Sequence, residues 1–131
     1  MCMIDAGERY EVCSTAYRTA RKEHYCGECG RIIRRGEQYR YDTGLYEGHW
    51  NSHHTCQHCG VAMRWLGDNC GGWMFESVLS DIEGHVFEYP RLAFGLLRLL
   101  CGMRRQWSRF DGAGLMSLPG MPRGIREVVE A

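Results

Sequence analysis

Two pairs of cysteines with identical spacing constrain the fold of this chain more than any other feature. Cys26 and Cys29 form one C-x-x-C motif, and Cys56 and Cys59 form a second one after the intervening residues 30–55. Zinc takes four soft ligands at the corners of a tetrahedron, and a C-x-x-C turn directs two sulfurs toward one point. The spacing therefore predicts one structural zinc ion held by all four cysteines, with no coordination position left for a substrate.

A histidine offers a second way to complete this zinc shell. His53 and Cys56 form an H-x-x-C motif, so Cys26, Cys29, His53 and Cys56 make an alternative set of three cysteines and one histidine. That order resembles the zinc finger of poly(ADP-ribose) polymerases, which reads DNA ends. Cys59 has no role in that pattern, and we therefore favour the four-cysteine set while keeping His53 as an alternative ligand.

Cysteine content and the N-terminal residues together predict a cytoplasmic protein. The N-terminus lacks a basic segment followed by an apolar one, so it does not resemble a signal peptide. The most apolar segment, Leu92 to Met103, contains Arg98 and is far shorter than the ~20 residues that a membrane span needs. We expect no membrane association, and in a reducing cytoplasm paired cysteines indicate metal binding rather than disulfides.

The segment before and between the cysteine pairs predicts short strands. Residues 8–25 alternate loosely between polar and apolar side chains, and Tyr39 and Tyr41 favour a strand after a turn at Gly36. We expect a loop at Gly44–Gly48 and a further strand at His49–His54.

Hydrophobic periodicity predicts helices in the second half of the chain. Thr55 is expected to be the N-cap of the first helix. The predicted helices are Cys56–Leu66, Trp73–Phe87 and Leu92–Met103, with one more helical turn at Ile125–Val129.

These elements predict an α+β fold in three parts. Residues 1–66 form a small zinc-stapled finger with N-terminal strands, residues 67–110 form a helical extension packed on it, and residues 111–131 form a flexible tail rich in glycine and proline. The formal net charge is 0, yet residues 61–90 sum to 1 − 5 = −4 and residues 91–131 sum to 7 − 3 = +4. We therefore expect two oppositely charged helices to pack on one another.

The cysteine motifs and their neighbours carry a family resemblance. A cysteine knuckle, a hairpin and a second pair that opens a helix are similar to a treble-clef finger. The motif C-G-E-C-G-R-I-I-R-R-G-E-Q-Y over residues 26–39 and H-T-C-Q-H-C over residues 54–59 resemble a group of small proteins of tailed bacteriophages and prophages. The resemblance covers about residues 18–90. It implies a phage accessory protein in the host cytoplasm and assigns no activity to it.

Protein–protein interaction is the function class that these features favour. A closed zinc site contributes a scaffold rather than chemistry, and Arg91, Arg98 and Arg105 recur every seven residues on one predicted helix face. Such a face suits an acidic partner. If the phage resemblance holds, the partner is a host protein, and inhibition of a host enzyme or a defence complex, as by an anti-CRISPR protein, is the expected role.

Nucleic-acid binding is the main alternative. Basic residues interleaved with aromatic ones suit phosphate contacts and base stacking, although a net charge of 0 counts against avid DNA binding. The candidate surface on the hairpin comprises Arg31, Arg34, Arg35, Arg40, Tyr39 and Tyr41.

Catalysis is the remote alternative. His49, Asn51 and His53 have the residue types of a His-Asn-His nuclease but lack its arrangement, because the following helix opens with cysteines instead of a metal-binding histidine. We therefore assign no catalytic residues and expect no enzymatic activity.

Overall fold

The computed structural model describes residues 4–5, 8–9, 12–109 and 114–129, and they form the expected α+β fold. Cys2 lies outside these residues. The strands are β1 (Ile4–Asp5), β2 (Glu8–Arg9), β3 (Val12–Thr19), β4 (His24–Tyr25), β5 (Ile32–Ile33), β6 (Gln38–Tyr46) and β7 (His49–Cys56). The helices are α1 (Gln57–Cys70), α2 (Val78–Glu88), α3 (Ala93–Arg104) and α4 (Ile125–Val129), with a 3₁₀ turn at Pro90–Leu92.

The largest sheet has three antiparallel strands in the order β3-β6-β7. Strand β6 continues through the predicted loop at Gly44–Gly48 as far as Tyr46, so that prediction was wrong for its first three residues. The chain reverses at Glu47 and Gly48, which both adopt positive φ, of 49° and 79°. This backbone geometry suits a tight two-residue hairpin, so no longer loop is needed.

Helix α1 begins one residue later than predicted and ends four residues later. Its N-cap is Cys56 rather than Thr55, because the sulfur of Cys56 accepts the backbone N–H of Cys59 at 3.4 Å. Gly67 does not end the helix; the chain leaves it at Gly71, which adopts the left-handed conformation with φ 78°. Gly67 instead provides room for Trp73, since a Cβ there would lie 3.3 Å from the Trp73 ring.

Helix α2 begins at Val78 rather than at the predicted Trp73. Trp73 is buried against the sheet, with the Arg40 guanidinium 4.8 Å from its ring centroid. Glu76 then adopts a φ of 70°, which breaks any helix that would start earlier. As predicted, the oppositely charged helices α2 and α3 pack together, and Glu83 of α2 pairs with Arg104 of α3.

One apolar core joins the helices to the cysteine pairs. It combines buried side chains of α1, α2 and α3 with aromatic residues from the connecting segments. Its largest fully buried hydrophobic members are Trp65, Trp107, Ile33, Met63, Leu66, Ile82, Leu96, Leu99, Met103 and Val78.

The predicted flexible tail instead packs on the helices over residues 114–129. His58 of α1 bonds the Met116 carbonyl at 2.7 Å, and the Trp65 indole donates to the Arg123 carbonyl at 3.0 Å. The Asn69 carboxamide accepts the backbone N–H of Ile125, which fixes the start of α4. A segment low in regular structure is held here because polar side chains of α1 satisfy its backbone groups.

No helix among the described residues has both the length and the apolar character needed to cross a membrane.

Candidate metal centre

The four predicted cysteines meet at one point. The sulfurs of Cys26, Cys29, Cys56 and Cys59 all lie within 4.8 Å of one another, and three of these residues are buried. The Cys29 and Cys56 sulfurs are 3.9 Å apart. A tetrahedral metal with sulfur ligands at about 2.3 Å has sulfur–sulfur edges of about 3.8 Å. The cluster therefore has the donors and the dimensions to hold one metal ion.

The first cysteine pair lies in the turn between β4 and β5. The Cys26 N–H donates to the Arg31 carbonyl, and the Gly30 N–H donates to the Cys26 carbonyl, each at 2.9 Å. Gly30 has a φ of 80°, which a residue without a side chain adopts at little cost. This tight turn brings Cys29 back beside Cys26.

The second pair lies where β7 passes directly into α1. Cys56 is the last residue of β7, and Cys59 lies in the first turn of the helix. The Gly27 N–H donates to the His54 carbonyl at 2.8 Å, which ties the first turn to the edge of β7. This backbone bond holds the two cysteine pairs facing each other and does not itself depend on a metal ion.

Several N–H groups are directed at the sulfurs. Cys26 accepts from the backbone N–H groups of Glu28 and Cys56, both at 3.4 Å. The indole of Trp107 donates to the Cys59 sulfur at 3.3 Å. Such donors stabilise thiolates and orient them around a metal. The sequence gives no signal for Trp107, because it lies 48 residues from Cys59 and follows no cysteine motif.

The four thiols affect one another's protonation. Hydrogen bonds with Cys29, Cys56 and Cys59 lower the pKa of Cys26, and hydrogen bonds with Cys26, Cys29 and Cys56, followed by burial, raise the pKa of Cys59. Four adjacent thiolates repel one another in a buried site, so a divalent cation is the natural compensation for their charge.

His53 does not join the cluster. Its ring stacks on Phe75 with centroids 4.0 Å apart and planes inclined by 4°, and burial lowers its pKa. The four-cysteine set is therefore the one that the fold assembles. His53 serves instead to pack the segment before α2 against β7.

Glu28, inside the first C-x-x-C, links the cluster to helix α2. Its carboxylate accepts the backbone N–H groups of Glu76 and Val78, at 2.7 and 3.2 Å. Ser77, the residue in the N-cap position, makes no capping bond of its own. Burial raises the pKa of Glu28 to about 7. Glu28 thus caps a helix some 50 residues away, a role that its position between two cysteines does not indicate.

Half of the predicted arginine–tyrosine surface lies inside the protein. Arg31 is 6% exposed and forms two hydrogen bonds to the Glu37 carboxylate. Arg40 is also buried, with its Nε 2.9 Å from an Asp42 oxygen, and Tyr39 is 5% exposed. Their placement on an interaction surface was wrong, because both guanidinium groups are buried in ion pairs with carboxylates of β6 or the turn before it and the Tyr39 ring belongs to the core.

The remaining predicted surface residues are accessible. Arg34, Arg35, Arg91 and Arg98 are exposed, while Tyr41 and Arg105 are half-buried. These residues do not form one surface, since Arg34 and Arg35 lie in the turn after β5, Tyr41 lies on β6, and the other three lie on or beside α3.

The nuclease-like residues do not assemble a second metal site. His49, Asn51 and His53 alternate along β7, and Asn51 donates its side-chain N–H to the His49 carbonyl at 3.4 Å. Within the described part of the chain, the four cysteines are the one group of potential ligands close enough to hold a metal ion.

Comparison with known proteins adds no relative. No protein-family model, no curated protein and no solved structure matches the chain.

Proposed function

We propose that this protein is a non-enzymatic accessory protein that folds around one structural zinc ion and acts by binding another protein. The observation that carries this proposal is the completeness of the cysteine cluster. Four sulfurs close together are enough to complete a tetrahedral shell, and a metal with four protein ligands has no open position for a substrate or a reactive water. In such a protein the metal stabilises the fold, and the function depends on residues at the surface.

Zinc is the metal that best suits this cluster. Four thiolates in a tetrahedron select zinc or iron, and a buried shell with N–H donors on the sulfurs is typical of structural zinc. Elemental analysis of the purified protein is expected to give one zinc per chain and no iron. Iron with a visible absorption band would contradict the assignment.

The surface proposed to bind the partner runs along α3 and the segment packed beside it. The Arg98 guanidinium bonds the Ser117 hydroxyl at 3.4 Å, so the two segments lie side by side. Leu115, Leu118 and Met121 are all exposed on this segment, Leu118 at 51%. We call Arg91, Arg98, Leu115, Leu118 and Met121 the α3–tail surface.

The chemistry of this surface indicates an acidic partner with apolar contacts. Arginine and methionine are enriched in the centres of protein interfaces, where apolar area and hydrogen-bonding capacity are combined. Residues 91–131 carry a formal charge of +4, which favours association with a negative surface. Following the phage resemblance, the proposed partner is a host enzyme or a host defence complex.

The proposal is tested by capture of partners on the tagged full-length protein in a bacterial host lysate, with and without nuclease. We expect one protein complex to survive nuclease treatment. The double variant Arg98→Glu with Leu118→Asp is expected to lose it, because the change reverses charge and removes apolar area at one place.

A matched control separates this effect from general damage. Trp50 is 67% exposed on β7, in the three-stranded sheet and not on the helices, and Trp50→Asp makes a comparable change there. The control is expected to retain the complex. Equal capture by wild type and by the double variant would contradict the proposed surface, and capture that disappears with nuclease would contradict a protein partner.

A further inference from the structure

The turns that follow β3 and β5 hold a group of cations that the proposed function does not use. Arg18, Arg21 and Lys22 lie at the end of β3 and in the turn after it, and Arg34 and Arg35 lie in the turn after β5. All five side chains are exposed. We call these five residues the two-turn basic surface.

Backbone hydrogen bonds hold the two turns together. Ala20 is buried between them; its N–H donates to the Glu37 carbonyl at 2.8 Å, and its carbonyl accepts the Gly36 N–H at 2.9 Å. The fold therefore holds the two groups of cations on neighbouring turns. Holding like charges together costs free energy unless an anion binds among them.

The Glu37 carboxylate beside the second turn is already paired. It is 25% exposed, and it accepts hydrogen bonds from the Arg31 guanidinium and from the Arg34 backbone N–H, so its charge is offset by Arg31. Glu23 is the acidic side chain in the first of the two turns. With Glu37 paired to Arg31, five cations face the exposed carboxylate of Glu23, which leaves a positive patch on a protein whose formal charge is 0.

A cleft adjoins the cations of the first turn. It has a volume of about 830 Å³ and is lined by Arg18, Thr19, Arg21, Lys22, the half-buried His24 and the small exposed part of Tyr39. The His24 and His54 rings stack with centroids 4.4 Å apart, and the Arg18 guanidinium lies 4.2 Å from the Tyr41 ring centroid. Beside Arg34 and Arg35, the Tyr25 ring is 73% exposed.

From this combination we infer that the two-turn basic surface binds single-stranded nucleic acid, with phosphates on the cations and a base against the exposed Tyr25 ring. Cations that follow a backbone together with a ring that stacks on a base are the features of single-strand binding sites. A duplex hides its base faces and would leave the Tyr25 ring unused. This surface differs from the α3–tail surface, so the inference stands or falls separately from the proposed function.

The test measures the binding of zinc-loaded, full-length protein to a labelled single-stranded oligonucleotide of about 16 nucleotides. The variant combines Arg21→Ala with Lys22→Ala. We expect it to weaken binding about tenfold. The slope of log affinity against log salt should fall by about 0.7 for each phosphate that the variant no longer neutralises. Duplex of the same sequence is expected to bind more weakly.

The matched control combines Arg91→Ala with Arg98→Ala, which removes the same charge from exposed positions elsewhere. Melting temperature and zinc content verify that both variants are folded. The inference is overturned if the control weakens binding as much as the variant, if duplex binds more tightly than single strand, or if polyglutamate competes as well as the oligonucleotide. It is equally overturned if no oligonucleotide binds at about 50 mM salt.

Discussion

The two ends of the three-stranded sheet belong to the same strands and are stabilised in different ways. At the inner end, Tyr39, Thr55 and Cys56 are buried beside the cysteine cluster. At the outer end, Trp50 is 67% exposed, although its pairing with Leu45 continues the same antiparallel register. Strand pairing thus continues to the outer end of the sheet, where the side chains are no longer buried. The register alone therefore does not indicate which end is more stable.

The inner end gains contacts from three segments that are distant in sequence. The first cysteine turn bonds β7 through Gly27, Trp73 packs on Arg40, and Trp107 donates to Cys59. At the outer end the side-chain contacts run between strands, as in the 2.9 Å bond between the hydroxyls of Ser14 and Thr43. We therefore expect substitutions at the inner end to lower stability more than substitutions at the outer end.

The largest effect is expected from removing one ligand of the cluster. Cys59→Ser deprives the metal of a thiolate and Trp107 of its acceptor, and a structural four-cysteine site contributes about 10 kcal/mol or more of apparent binding free energy. That amount matches the whole stability of a typical domain. Thermal unfolding by circular dichroism is expected to lose its cooperative transition, and zinc is expected to be released.

Cys101→Ser is the matched control, because Cys101 is exposed on α3 outside the cluster. It is expected to melt like the wild type. Retention of one zinc and of a cooperative transition by Cys59→Ser would show that the shell tolerates another ligand, with His53 the first to examine.

A smaller loss of stability is expected from a substitution in α3 that disturbs Trp107, whose indole packs at the inner end. A Cβ on Gly102 would lie 2.2 Å from the fully buried Trp107 ring, so Gly102→Ala must displace the indole that bonds Cys59. Overpacking of this kind costs about 3 kcal/mol. Chemical denaturation is expected to report that decrease in stability, and the metal is expected to be released more rapidly to a chelator.

Gly84→Ala is its control. Gly84 also lies in a helix, but a Cβ there would meet nothing within 4 Å. Alanine is the better helix former, so this variant is expected to gain about 0.5–1 kcal/mol. If both variants were destabilised equally, helix context rather than the Trp107 packing would be the cause.

The ion pair of Arg31 and Glu37 is expected to make the inner end sensitive to acid. Burial raises the pKa of Glu37, but the hydrogen bonds from Arg31 and Arg34 lower it more, so the net pKa lies below the ordinary value of 4.5. A carboxyl with a lowered folded-state pKa stabilises the protein above the unfolded value and loses that stabilisation as the pH falls through the folded value.

Glu37→Gln is therefore expected to cost about 2 kcal/mol at neutral pH, since it leaves the buried Arg31 without its anion. The difference in unfolding free energy from the wild type should shrink as the pH falls below about 4.5. Glu47→Gln, in the exposed outer turn, is expected to change stability little at any pH. A difference that stays constant down to low pH would show that the charge of Glu37 is not involved.

The smallest effect is expected at the outer end. Trp50→Ala removes a large side chain that is mostly in solvent, and exposed substitutions usually change stability by no more than about 0.5 kcal/mol. Denaturation should place the variant close to the wild type. A destabilisation several times larger would mean that the outer end is covered in solution, for example by a second copy of the chain.

The sequence predicted the parts of this structure that depend on local patterns. The four-cysteine cluster follows from spacing, and the packing of α2 on α3 follows from periodicity and charge. Each of these patterns spans a few residues, or links two segments whose opposite charges can be counted in the sequence.

The misplaced residues depend on contacts between distant segments or on burial that only the complete fold provides. In the sequence, Arg31 and Arg40 look like surface cations. Their ion pairs with Glu37 and Asp42 become evident only in the folded chain, where both arginines are buried. Residues 114–129 resemble a tail because much of their attachment is through backbone groups that bond α1 side chains, while the two apolar side chains that pack on the core, Met116 and Ile125, follow no helical period. Cys56 occupies the N-cap position in place of Thr55, because its sulfur can accept a backbone N–H of the first helical turn.

Cys56 has a consequence for the order of folding. It ends β7, caps α1 through its sulfur and offers the same sulfur to the metal cluster. Starting a helix is the unfavourable step of helix formation, whereas extending it is not. A metal bound at Cys56 would fix the first turn of α1 in advance and so couple ion capture to the nucleation of this helix. The rate at which α1 forms would then depend on the concentration of free metal.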